Sequence, residues 1–170
     1  MENRFRLLGV LLVFLAFAEV KAQSNEVVSA NADIITEEFP QAKAEIKNVL
    51  DAIFKSIQDK DADKLISYHV YGPKFTEFRD GDRRTGSEGN EAYERGLVDA
   101  ISGFEYELED LLINVFGEVA VVTFHANFRP TINEEEHHST GQVTLVFINT
   151  DDSWKITHEH FSPLNPEIGD

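Results

Sequence analysis

Two histidines separated by one residue, His158 and His160, stand near the C-terminus in the segment Trp154-Lys-Ile-Thr-His-Glu-His-Phe-Ser162. On an extended strand they share one face, about 7 Å apart. An imidazole accepts or gives a proton near neutral pH, so the pair suits general acid–base chemistry toward a molecule held beside it. The rival reading makes both of them core histidines tied to backbone or to tyrosine hydroxyls. A His-x-His strand also offers two zinc ligands, but a third would have to be His69, no tetrahedral set follows, and no metal is expected. Tyr68 and Tyr93 carry hydroxyls able to polarise a carbonyl, or they fill space with their rings. Asp80 and Asp82 read as a solvent-exposed turn, and Glu134-Glu-Glu-His-His138 as a solvated acidic loop. The chain has no cysteine. It also lacks a Gly-rich phosphate loop and a serine nucleophile elbow, so no cofactor is expected.

The elements that position these side chains follow from hydrophobic spacing. Ile46, Val49, Leu50, Ile53, Phe54 and Ile57 repeat as one helical face, with Pro40 suited to a first turn. Asp61 caps a short second helix carrying Leu65, Ile66 and Tyr68, which Gly72-Pro73 ends. Phe75 to Phe78 reads as a short strand, and residues 90–102 as a third helix with Tyr93 and Leu97 on one side. Strands are expected at about 104–116, 118–129, 139–149 and 153–162, joined by turns at Gly117-Glu118 and Thr150–Ser153. Helices first and an antiparallel meander last give an α+β domain with helices on one face of a curved sheet.

Alternation then assigns faces. Ala120, Val122, Phe124, Ala126 and Phe128 form the core side of their strand, with His125 outward. In the last strand Trp154, Ile156, His158 and His160 share a face that is expected to point inward. Strand 139–149 is apolar on both faces, Val143, Leu145 and Phe147 on one and Val146 and Ile148 on the other. Such a strand is covered on both sides, which predicts a homodimer through the open sheet.

Composition bounds the partners. With 15 basic and 31 acidic residues in 170, the formal charge is −16. That surface repels phosphate backbones and anionic lipid, so no nucleic-acid or membrane-surface partner is expected. Residues 1–22 read as a cleavable signal peptide: Arg4 and Arg6, an apolar run from Leu7 to Ala18, then Val20 and Ala22 before Gln23. That run is too short to span a bilayer, which needs about 20 residues. The expected location is periplasmic or secreted. Residues 23–43 read as a polar tether, 44–163 as the domain and 164–170 as a tail.

The last strand, from Trp154 through His158 and His160 to Ser162-Pro163, resembles the closing strand of SnoaL-like domains of the nuclear transport factor 2-like superfamily. It is most similar to the association domain of calcium/calmodulin-dependent protein kinase II. Pro73-Lys-Phe-Thr76-Glu-Phe78 resembles a second motif of that domain. The resemblance implies a cone-shaped pocket between sheet and helices, which in relatives serves isomerases, dehydratases, cyclases or hydrolases, and in others only assembly. This chain departs from it twice. Ala126 and Leu145 stand where the kinase domain has pocket arginines, which favours an apolar ligand, and Gly72 stands where isomerase-like members place a basic aspartate. The expected catalytic set is His158, His160 and Tyr68. Tyr93, Phe75, Phe78, Phe124, Ala126, Leu145 and Trp154 are expected to line a pocket for a small apolar molecule. The alternative function is a non-catalytic assembly domain working through its sheet surface.

Overall fold

Pro40 opens the first helix because its fixed φ suits a first turn and its missing N–H would be unpaired there anyway. In the computed structural model, which describes residues 33–151 and 153–164, this helix, α1, spans Pro40–Gln58 and buries Ile46, Leu50, Ile53, Phe54 and Ile57. The signal peptide, residues 23–32 of the tether and nearly all of the tail read from the sequence lie outside the described residues. Helix α2, Ala62–Ser67, is capped as expected: the Asp61 carboxylate accepts from the Lys64 N–H at 2.9 Å. Strand β1 is Thr76–Arg79, and helix α3 is Ser87–Ala100.

Four long or medium strands follow, with one short hairpin strand among them: β2 Ile101–Phe116, β3 Val119–Ile132, β4 Glu135–Glu136, β5 Ser139–Asn149 and β6 Trp154–Pro163. The β2–β3 turn uses Gly117 at φ +68°, a left-handed conformation that suits glycine. The order across the sheet is β1-β6-β5-β3-β2, with β4 paired to β3. β2, β3, β5 and β6 are antiparallel neighbours, whereas β1 runs parallel to β6, so the sheet is mixed and stays open at both edges. A parallel neighbour was not among the expectations. A parallel pair needs a long crossover, and here α3 and the whole of β2 to β5 lie between β1 and β6 in sequence.

The inner face of the sheet meets α1. Ala120, Val122, Phe124 and Ala126 of β3 are buried, as their alternation predicts. Phe54 of α1 stacks on Tyr106 at 4.3 Å between ring centres and meets Phe124 edge-on at 6.3 Å. An aromatic cluster of this kind fills volume with few rotamers to freeze, which gives a core rigid enough to hold a hollow beside it.

In β6 the alternation breaks. Ile156 pairs with Phe147 and His158 with Val146, so Thr157 is an extra residue: a β-bulge. The bulge lies where β6 changes its other partner. Ile156 exchanges backbone hydrogen bonds with Tyr68 and Val70 at 2.8 Å each, while His158 onward pairs with β1. One extra residue exchanges the two faces of everything after it. Trp154 and Ile156 stay inward and buried, but beyond the bulge Glu159 is the buried residue, at 3 % exposure. The sequence-based placing of His158 and His160 on the inward face is therefore corrected. They share the outer face with Thr76 and Phe78, their register partners in β1.

Candidate active site

A cavity of about 200 Å³ lies between α1, α3 and the inner face of the sheet. Leu50, Ile53 and Phe54 of α1 and Phe124, Ala126 and Leu145 of the sheet give it apolar walls. Its polar lining comes from His69, Arg79, Asp80, Tyr93, Glu94 and Glu159, with Ser139, Thr140 and Ser162 on β5 and β6.

These polar side chains reach the hollow by three local devices. On α3, Asn90, Glu94 and Val98 recur every fourth residue and form the buried stripe of the helix. On β1, Glu77 and Arg79 alternate inward, and Thr76 and Phe78 outward. On β6, the Thr157 bulge turns Glu159 and Phe161 inward.

Most of the buried charge is paired. Glu159 is held at both oxygens, by His69 Nε2 at 3.0 Å and by Asn90 Nδ2 at 2.8 Å. The Tyr71 hydroxyl donates to Asn90 Oδ1, which fixes that amide. His69 Nδ1 lies 3.1 Å from the Leu65 carbonyl oxygen. Both ring nitrogens thus face acceptors, an arrangement that suits the doubly protonated ring. Burial pulls His69 toward the neutral form, but the Glu159 hydrogen bond and charge, with help from Glu94, outweigh it and raise its pKa above the ordinary 6.5. Glu77 accepts from the Thr85 hydroxyl at 2.9 Å and pairs with Arg79. The Arg79 guanidinium also lies over the rings of Tyr93 and Phe161, 3.6 and 4.6 Å from their centres.

Glu94 is held least tightly. It is 7 % exposed, and among the described residues its carboxyl takes part in no hydrogen bond; its nearest cation is Arg79 Nη2, at 3.6 Å. Burial first, and the charge of Glu159 second, push its pKa from 4.5 to about 7, against the pull of Arg79 and His69. A carboxyl that titrates near neutrality, lines a cavity and takes part in no hydrogen bond among the described residues can give or take a proton at physiological pH.

The residues expected from the sequence are distributed as follows. Phe124, Ala126, Leu145 and Tyr93 line the cavity. Phe75 is buried in the core, edge-on to Tyr71 at 5.0 Å, and does not reach the hollow. Phe78 is 42 % exposed on the outer face, where its ring meets His158 and His160 at 6.0 Å each. His158 Nδ1 pairs with the Thr76 hydroxyl at 2.8 Å, and His160 is exposed. Tyr68 packs against the core with Lys64 over its ring, outside the cavity. Trp154 is buried, with its indole N–H donating to Glu45 at 3.2 Å beside a separate surface groove. Of the two acids placed in a turn, Asp80 lines the cavity and Asp82 is exposed. Among the described residues no group of three or more metal-ligating side chains gathers.

Glu94, Glu159 and Arg79 did not emerge from the sequence as site residues. One signal was available for Glu159: Phe161 is out of phase with Trp154 and Ile156, which marks a parity change between them. For Glu94 the i, i+4 spacing with Asn90 and Val98 looks like a solvated face, and sequence alone does not distinguish the two.

The comparisons with known proteins agree with this architecture. A model of the SnoaL-like domain matches residues 46–166. Among solved structures, a nuclear transport factor 2-like superfamily protein from Salmonella enterica serovar Typhimurium is similar at 22% identity and a TM-score of 0.65, covering 76% of this chain and 96% of its own. A candidate dehydratase of the nuclear transport factor 2-like family from Streptomyces avermitilis is similar at 18% identity and a TM-score of 0.66, covering 72% and 96%. A candidate Ca/calmodulin-dependent kinase II association domain from Exiguobacterium sibiricum is similar at 13% identity and a TM-score of 0.61, covering 74% and 95%. At these identities the likeness carries the fold. Among curated proteins, none matches the chain significantly.

Proposed function

The chain belongs to the SnoaL-like domain family, and from that premise we propose that its hollow holds a small, largely apolar molecule with which Glu94 exchanges a proton. The reaction class is cofactor-free acid–base chemistry of the isomerase, dehydratase or cyclase type. The observation that carries this reading is Glu94 itself, buried, without a hydrogen-bond partner and raised to about 7 beside apolar walls. His69 and Asn90 support it by holding Glu159 in place, where its charge keeps the Glu94 proton on. The candidate dehydratase among the similar structures is in keeping with this class.

Native mass spectrometry of the protein purified from its own cells tests the reading. A small molecule is retained by the wild type and lost in Ala126→Phe, which fills the space beside Phe54, Phe124 and Leu145. The outward-facing double variant His158→Ala/His160→Ala retains it. Retention that survives Ala126→Phe overturns the pocket assignment.

A second reading concerns the outer face of the sheet. Leu112 is 53 %, Val119 40 % and Phe116 39 % exposed, and cross-strand pairs Val119–Ile148 and Val121–Val146 extend this patch over three strands. We propose that a second copy covers it, giving a homodimer. Sedimentation that shows a monomer for the wild type, or a dimer unaffected by Leu112→Lys/Val119→Lys, rejects this. Export is likewise a proposal, resting on residues 1–22; a purified protein beginning at Gln23 supports it, and one beginning at Met1 opposes it.

A further inference from the structure

The charges around the hollow do not balance, and the imbalance selects a ligand. Three acids line the cavity, Asp80, Glu94 and Glu159, and Glu77 stands behind them on β1. Two basic groups face them, and both are engaged. His69 is fixed between the Leu65 carbonyl and Glu159. Arg79 is held by Glu77 and lies over the Tyr93 and Phe161 rings. An incoming carboxylate or phosphate therefore meets, in the lining, cations already ion-paired to Glu77, Glu94 and Glu159, and several buried carboxylates. Its desolvation would go uncompensated.

A cation meets the opposite situation. Glu94 is more than nine-tenths buried, lines the space and, among the described residues, accepts no hydrogen bond. A protonated nitrogen placed against it adds a charge-assisted hydrogen bond to a carboxyl otherwise held only by Arg79 at 3.6 Å. The chain's formal charge of −16 draws cations toward the protein from a distance. Size narrows the class further. The cavity holds about 200 Å³, against the ~150 Å³ of an engineered apolar cavity that binds benzene, so one ring with a short arm fits.

We propose that the molecule held in this hollow is a small cyclic or aromatic amine, with its protonated nitrogen docked on Glu94 and its ring against Phe54, Phe124 and Leu145. This deepens the preceding reading and rests on it: the site is the same hollow, and the docked ammonium takes the place of the Glu94 proton, which leaves to buffer. The groups facing Glu94 are Arg79 and Glu77 from β1, Glu159 from β6, His69 and Tyr71 after α2, and Tyr93 beside it on α3. Of these, Glu94 is the one that an arriving cation leaves newly ionised near pH 7.

Three probes of one shape test the proposal on the full chain by calorimetry at pH 7: benzylamine, benzyl alcohol and benzoate. Benzylamine is expected to bind at least about tenfold more tightly than benzyl alcohol, with benzoate weakest. Benzylamine binding to the wild type releases a fraction of a proton to buffer, measured from the heats in two buffers of different ionisation enthalpy. In Glu94→Gln the amine and the alcohol bind with equal affinity. Equal affinities for amine and alcohol in the wild type, or an amine preference that survives Glu94→Gln, overturn the inference and leave the pocket reading standing. Failure of all three probes to bind overturns both. The proton release needs no variant, so its absence counts against the proposal even if Glu94→Gln fails to fold.

Discussion

Replacing Glu94 by glutamine should make the protein more stable, and more so as pH rises. The argument starts from where the carboxyl sits. It is buried on α3 beside the charge of Glu159, with Arg79 at 3.6 Å as its nearest cation. Ionising it there is harder than in the unfolded chain, so its pKa rises from 4.5 to about 7. At 1.36 kcal/mol for each factor of ten, this displacement corresponds to roughly 3 kcal/mol. The sign follows from proton counts. Below pH 4.5 both states carry the proton and nothing is lost. Between 4.5 and 7 the unfolded chain gives up its proton while the folded one keeps it, so stability falls as pH rises. Above 7 the loss is complete. Glutamine has nearly the same shape and does not titrate, so the advantage of Glu94→Gln over wild type should grow by about 2–3 kcal/mol between pH 5 and pH 8. For a domain of total stability around 5–15 kcal/mol this is a large effect. Urea unfolding of both proteins at the two pH values measures it, with the slopes checked for equality so that only the midpoint carries the change. A difference that stays constant with pH, or shrinks as pH rises, would refute the claim that Glu94 is a strained, proton-holding group. Gain of stability on removing a side chain is also the mark expected of a residue kept for function rather than for the fold.

Two further outcomes follow from the same network. Glu159→Gln should cost about 3–5 kcal/mol at pH 6, because it leaves His69 buried without its counter-charge. His69 has a raised pKa, so the stability it gains from Glu159 is fully present below 6.5 and is lost as pH rises through the folded value. The cost of Glu159→Gln should accordingly be smaller at pH 9, as read by urea unfolding at both pH values. Deleting Thr157 removes the bulge and forces either Trp154 and Ile156 or Glu159 and Phe161 onto the wrong face. A loss of more than about 4 kcal/mol or of cooperative unfolding is expected, whereas Thr157→Ser, which keeps the residue count, should stay close to wild type.

What the sequence determined by itself was the sort of thing that local spacing encodes. Ile46, Leu50, Ile53, Phe54 and Ile57 recur at the helical period, so α1 and its buried face were legible. Asp61 announced α2, and Gly117 the β2–β3 turn. Strict alternation in β3 put Phe124 and Ala126 on the inner face, where the cavity lies. The closing motif from Trp154 to Ser162 and the order of elements pointed to the family that the comparison over residues 46–166 shows.

The tertiary structure alone decided which polar groups look into the hollow. Parity along a strand is local only while the residue count matches the neighbour's, and Thr157 breaks that match to suit two different partners on β6. His158 and His160 thereby moved outward and Glu159 inward. Glu77, Glu94 and Glu159 read as solvated charges in sequence because a carboxylate usually needs water. Here His69, Arg79, Asn90 and Thr85 replace that water for two of them, from segments far apart in the chain. Compensation of a buried charge is a contact between distant residues, and no local pattern records it.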